Sequence, residues 1–119
     1  MIGLRLTPDT LRAAWDYLRT TPPFCRWSLP PGEEVEFHVS RTYPAVGEHR
    51  AIRRKRHQVW VSERRVKSTL LLMTTMAHEA IHAAQDIAGT TTPGAEHNAD
   101  FQRRWDLVAR HHIFDPGEE

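Results

Sequence analysis

The sequence predicts a small α+β domain: an N-terminal helix, a short antiparallel sheet packed on a central helix, and a C-terminal helix. Three observations predict it. Apolar residues recur at helical spacing near both ends of the chain, two short segments in between alternate or cluster as strands do, and a long Gly- and Pro-free stretch separates them from the C-terminal part.

The elements follow in order. Thr7-Pro8-Asp9 has the pattern of a helix start, and Leu11, Ala14, Trp15 and Leu18 then form an i, i+3, i+4, i+7 stripe. Thr21-Pro22-Pro23 stops that helix, because proline lacks the N–H and restricts the residue before it. Pro30-Pro31-Gly32 is a turn. Val35-Glu36-Phe37-His38-Val39 alternates apolar and polar, as a half-buried strand does, and Val59-Trp60-Val61 is a second strand that Ser62 closes. Residues 41–57 between them are basic and turn-like, which suggests a hairpin connection. A short helix could begin near Arg64. Val66 to Ala88 is rich in helix formers and apolar on most sides at Leu70–Ala77, as a central buried helix would be. Gly89 suits its C-terminal cap, Thr90–Gly94 is loop, and a last helix runs from about Asn98 to His111 with Phe101, Trp105 and Val108 on its core face. Trp15, Trp27 and Trp105 are most simply core, and Cys25 is most simply a small buried hydrophobe.

At 119 residues the chain fits a single domain, 1–119, able to bury roughly two-thirds of its unfolded surface without staples. The longest strictly apolar run, Leu70–Met73, excludes a helical membrane span and leaves no membrane partner to expect. The N-terminus has no apolar segment of a secretory signal. One cysteine, Cys25, excludes an intramolecular disulfide and a cysteine-based zinc ribbon. A cytoplasmic location is the expectation.

Net charge is only +1, but it is segregated. Residues 41–67 carry nine cations against Glu48 and Glu63, net +7, whereas residues 1–40 sum to −1 and residues 68–119 to −5. Arg53-Arg54-Lys55-Arg56 is the densest run, with Trp60 close by. One reading is a phosphate-contacting loop with a stacking aromatic, which would bind single-stranded DNA without sequence preference; the other is a solvated surface loop. No helix-turn-helix, zinc-finger or RNA-recognition signature accompanies the run, so base-specific readout is not expected.

His78-Glu79-Ala80-Ile81-His82 is an HExxH motif inside the longest predicted helix. Residues four apart share a helix face, so both imidazoles can reach one metal ion, and Glu79 projects beside them where it can take a proton from the attacking water. Imidazole donors suit zinc, and one Zn²⁺ per chain is the expected cofactor. A shuffled chain of this composition holds HExxH only about 0.04 times, which favours function over chance.

A catalytic zinc site needs a third protein ligand. Gln85 and Ala88 stand where the elongated HExxHxxGxxH form would have Gly and His. Downstream candidates are Glu96, His97, Asp100, His111 and His112. The loop after Gly89 is long enough to return to the metal, and His97 sits four residues before Phe101 on the inward stripe of the last helix. His97 is therefore the expected third ligand, with Asp100 accepting its second N–H from outside the first shell. Tyr43 and His111 are donors that could stabilise an oxyanion, although a packed or surface role is simpler for each.

The strand Val59–Ser62, the helix Thr69–Ala84 with its HExxH, and His97-Asn98-Ala99-Asp100-Phe101 together resemble the SprT-like, or Spartan-type, zinc metallopeptidases over roughly residues 35–112. The resemblance implies a small zincin-like domain in which His78, His82 and His97 bind zinc and Glu79 activates water. It also implies a protein or peptide substrate; some members of the family digest proteins crosslinked to DNA and are stimulated by DNA, so DNA-associated proteins are one candidate substrate class. Two departures stand out: the Cys-rich ribbon of many relatives is missing, and Asn98-Ala99 replaces a frequent Gly-Pro. Two other functions compete with the peptidase: a DNA-binding accessory protein with a structural or vestigial zinc site, and a metal-dependent hydrolase of a non-peptide amide. An intact Glu79 favours an enzyme, because a structural site does not need it.

Overall fold

A computed structural model describes residues 6–41, 47–52 and 56–112. Tyr43, Arg53, Arg54 and Lys55 lie outside the described residues.

Helix α1 spans Pro8–Arg19, with Thr7 as N-cap accepting from the Thr10 backbone N–H and Pro8 at the first helical position. It buries the expected stripe of Leu11, Ala14, Trp15 and Leu18. Two short 3-10 turns, Phe24–Arg26 and Gly32–Glu34, lead into strand β1, Val35–Ser40. The first turns Phe24 into the core and leaves Cys25 exposed, which corrects the expectation of a buried thiol.

Strand β2 is Gly47–Ile52 and strand β3 is Arg56–Ser62. The sheet is mixed, not antiparallel, with order β1-β3-β2. β3 pairs with β2 antiparallel and with β1 parallel. The physical reason is β2 itself: the segment between the two apolar strands is not one turn but contains a third strand. Two reversals return the chain to its starting direction, and β3 slots between its predecessors. Residues 63–65 form a turn where a short helix was expected.

Helix α2, Thr69–Ala88, starts at the Ser68 cap and ends at Gly89, whose φ of 76° is the left-handed conformation glycine tolerates. Helix α3, Ala99–His111, is capped by Asn98. The core lies where α1, α2, α3 and one sheet face meet, with Trp15, Phe24, Phe37, Val59, Val61, Met76, Ile81 and Phe101 buried. Trp15 Nε1–H donates to the Pro30 carbonyl at 2.8 Å, so its one polar atom is satisfied. The domain is thus α+β, with three helices and a three-stranded sheet among the described residues. No described helix is long and apolar enough to cross a membrane.

The register sets what faces α2. On β3, His57, Val59 and Val61 are buried; their partners on β2 are Ala51, His49 and Gly47. Gly47 and His49 therefore point to the α2 side of the sheet.

Candidate metal centre

Buried positions run nearly all round the middle of α2, so the motif residues sit at the domain centre: His78 is 6% exposed and Glu79 2%. His82 is half-buried one turn on, and His97 is exposed at the rim, just before α3. The three imidazoles converge. His78 Nε2 lies 3.2 Å from His82 Nε2 and 3.2 Å from His97 Nε2. Ligands on a tetrahedral zinc with Zn–N of 2.0–2.1 Å stand about 3.3 Å apart. Two of the three separations match that spacing, and the ligand atoms of all three residues lie within 4.8 Å of one another, so the trio can hold one ion.

Phe101 forms the floor under all three rings. Its centroid is 5.1 Å from His78, 4.9 Å from His82 and 4.5 Å from His97. This gives the His-x-x-x-Phe spacing a mechanical meaning: the residue one turn after His97 holds the ligand rings. Burial, and then the neighbouring His97 and His49, push His82 down to about 4. Its imidazole is neutral at pH 7, the state a metal ligand requires.

Loop 89–98 carries His97 back to α2, and polar contacts hold it. Asn98 Oδ1 accepts from the Phe101 N–H and from Gln85 Nε2, while Asn98 Nδ2 donates to the Thr90 carbonyl and to Thr92 Oγ1. Gln85 is fully buried. Gln85 and Asn98 thus bond to each other and fix the loop. Asp100 does not contact His97, which corrects its expected role. Its carboxylate accepts from Thr90 Oγ1 at 2.7 Å, Arg104 Nε at 2.8 Å and Arg103. Burial alone would raise its carboxyl, but the bonds from Arg104, Thr90 and Arg103 hold it well below the usual range. Its side chain has turned back along α3, so it anchors the loop and steadies His97 only indirectly.

The other candidates lie elsewhere or at the rim. His112 bonds to Thr21 Oγ1 and to the Pro22 carbonyl, bracing the end of α1, and His111 is exposed at the end of α3. Glu96 is exposed and lines the cleft beside His97. Of the basic run, Arg56 is exposed on β3. Trp60 is not a bare stacking platform: His38 stacks on it at 4.3 Å and the Arg50 guanidinium sits 5.2 Å from its centroid.

The trio and Glu79 open into a cleft of about 630 Å³, whose opposite wall is β2 from Gly47 to Arg50. Gly47 allows this close approach. A Cβ there would stand 2.6 Å from Thr75 Cγ2 and 3.1 Å from Glu79 Oε2. Gly47→Ala should cost about 1–3 kcal/mol through overpacking. Denaturant unfolding checks this, and adding Thr75→Ser, which removes Cγ2, should restore part of the loss.

Sequence reading also missed the pair His49 and His57. His49 Nε2 is 2.7 Å from His57 Nδ1, and the rings stack at 4.9 Å. Burial, and then His57, hold His49 down to about 3; burial likewise lowers His57. In the metal-free protein the sign is clear. The unfolded chain protonates these two rings as pH falls through about 6.5, while in the folded chain His49 stays neutral until nearer pH 3 and His57 is held lower than its ordinary value by burial. Stability should therefore fall with acid across that window, by several kcal/mol, and melting curves of chelated protein at pH 7 and pH 5 should show it. An unchanged midpoint would contradict the burial of these rings.

No protein-family model matches the chain, and no curated protein sequence does.

Proposed function

We propose that the protein is a zinc-dependent metallopeptidase of the SprT-like kind, with a small zincin-like fold. The observation that carries the reading is the convergence of three imidazole Nε2 atoms beside a buried Glu79 in one open cleft. Three histidines leave a fourth position for water or substrate, as catalytic zinc sites do and structural ones do not. A zinc ion, when bound, supplies polarisation of the scissile carbonyl and acidifies the attacking water.

The chain's own residues do the rest. His78, His82 and His97 fix the position of the reacting centre, held from below by Phe101. Glu79, next to His78 on α2, takes the proton from water and passes it to the leaving amine. Among the described residues β2 is an outer strand of the sheet and forms the cleft wall, so an extended peptide can lie along it and present its backbone to the site. That geometry favours peptide bonds over small amides as substrates. Substrates associated with DNA rest on the basic segment of the sequence, net +7 over residues 41–67, since Arg50 at the cleft is paired with Glu48.

The experiment is to incubate zinc-loaded protein with a DNA-binding protein, with and without single-stranded DNA, at two salt concentrations. Fragments that a chelator abolishes are the expected result, with more of them when DNA is present at low salt. DNA binding without cleavage, lost in an Arg53/Arg54/Lys55/Arg56→Ala variant, would favour a DNA-binding accessory protein with a vestigial site.

A further inference from the structure

A second convergence of ligating side chains lies in the same cleft. His49 and His57 are diagonal neighbours on the α2 side of the β2–β3 ladder. Asp86 comes from α2, one turn beyond His82. His49 Nδ1 is 3.5 Å from Asp86 Oδ2, and each of the three residues can offer a ligand atom within 4.8 Å of the other two. The His49 side chain is 2% exposed and His57 is 4% exposed, while the Asp86 side chain, at 25%, opens to the cleft. Thr91 Oγ1 donates to Asp86 Oδ1, which leaves Oδ2 for the histidine side. A ligating carboxylate oriented by an outer hydroxyl is a usual support for a metal site.

We propose that His49, His57 and Asp86 form a second divalent-metal site, separate from the HExxH trio and opening into the same cleft. Two imidazoles and one carboxylate suit zinc or another first-row ion and leave a position for water. The competing account is a metal-free chain in which His57 Nδ1–H donates to His49 Nε2 and His49 Nδ1–H faces Asp86. That chain compensates the burial incompletely, because its second link is long at 3.5 Å. An imidazole gives one nitrogen to an ion, so His49 would keep only one of its two contacts. One ligand atom from each of the three residues lies within 4.8 Å of the others, and small side-chain rotations bring them to the spacing of a common ion. The site does not depend on the peptidase reading.

The test is equilibrium dialysis of the full chain against Zn²⁺, with bound metal counted by mass spectrometry and folding checked by circular dichroism. Wild type should saturate at two ions per chain. His49→Ala and Asp86→Ala should each lose one, and Asp86, being partly exposed in the last turn of α2, can be changed without opening the core. The His78→Ala/His82→Ala double variant should keep one. Saturation of wild type at a single ion that the double variant loses would overturn the proposal, as would two ions retained in both His49→Ala and Asp86→Ala. A single ion in wild type that the double variant keeps and Asp86→Ala loses would instead sink the HExxH site and leave this one standing.

Discussion

Glu79→Gln is expected to keep fold and zinc but to lose turnover by roughly 10²–10⁴-fold, the usual contribution of a general base. Glutamine has nearly the same shape, so it should occupy the buried space between α2 and Gly47 without clash. What it cannot do is accept a proton. The measurement is kcat/KM on a protein or quenched-peptide substrate, with zinc content determined on the same sample. Because fold and metal are checked together, a loss of activity can be assigned to the proton transfer. Full activity in Glu79→Gln would sink the mechanism, however well the three histidines bind metal.

The second large effect concerns His97. Removing an outer partner of a ligand typically costs 10–100-fold in metal affinity, and removing a ligand itself should exceed that. His97→Ala should therefore weaken zinc retention by more than about 100-fold. The rim position of His97 makes the variant structurally mild. Asp100→Ala should have a smaller effect, because Asp100 anchors Thr90 and Arg104 and touches no metal ligand. If His97→Ala retains zinc as wild type does and Glu96→Ala does not, the third ligand is the neighbouring carboxylate.

The parts of this molecule that depend on local spacing were legible in the sequence. His78 and His82 meet because i and i+4 share a helix face, and that follows from helix geometry alone. The Thr7 cap, the α1 stripe, the Gly89 stop and the inward His97 are likewise local or one helical turn apart. The sheet was harder. β2 reads as Gly-Glu-His-Arg-Ala-Ile, too polar for the alternation test, because Gly47 to Arg50 line a polar cleft rather than a core. Missing it turned a mixed sheet into an antiparallel one. Asp100 was assigned from its three-residue spacing to His97, but an arginine one turn further along α3 outcompetes a rim histidine for its carboxylate. The cluster of His49, His57 and Asp86 comes from three elements with no shared period. Its only local signal was Asp86, which continues the 78, 82 stripe by one more turn.

Zinc-edge X-ray absorption on protein loaded with one equivalent of Zn²⁺ tests the central claim most directly. It should be recorded on wild type and on Asp86→Ala, so that the second cluster cannot contribute. The expected spectrum fits three imidazole nitrogens at 2.0–2.1 Å and one oxygen, alike in both proteins and altered in His97→Ala. Fewer than three imidazoles in the shell, or a shell unchanged by His97→Ala, would contradict a catalytic zinc held by His78, His82 and His97.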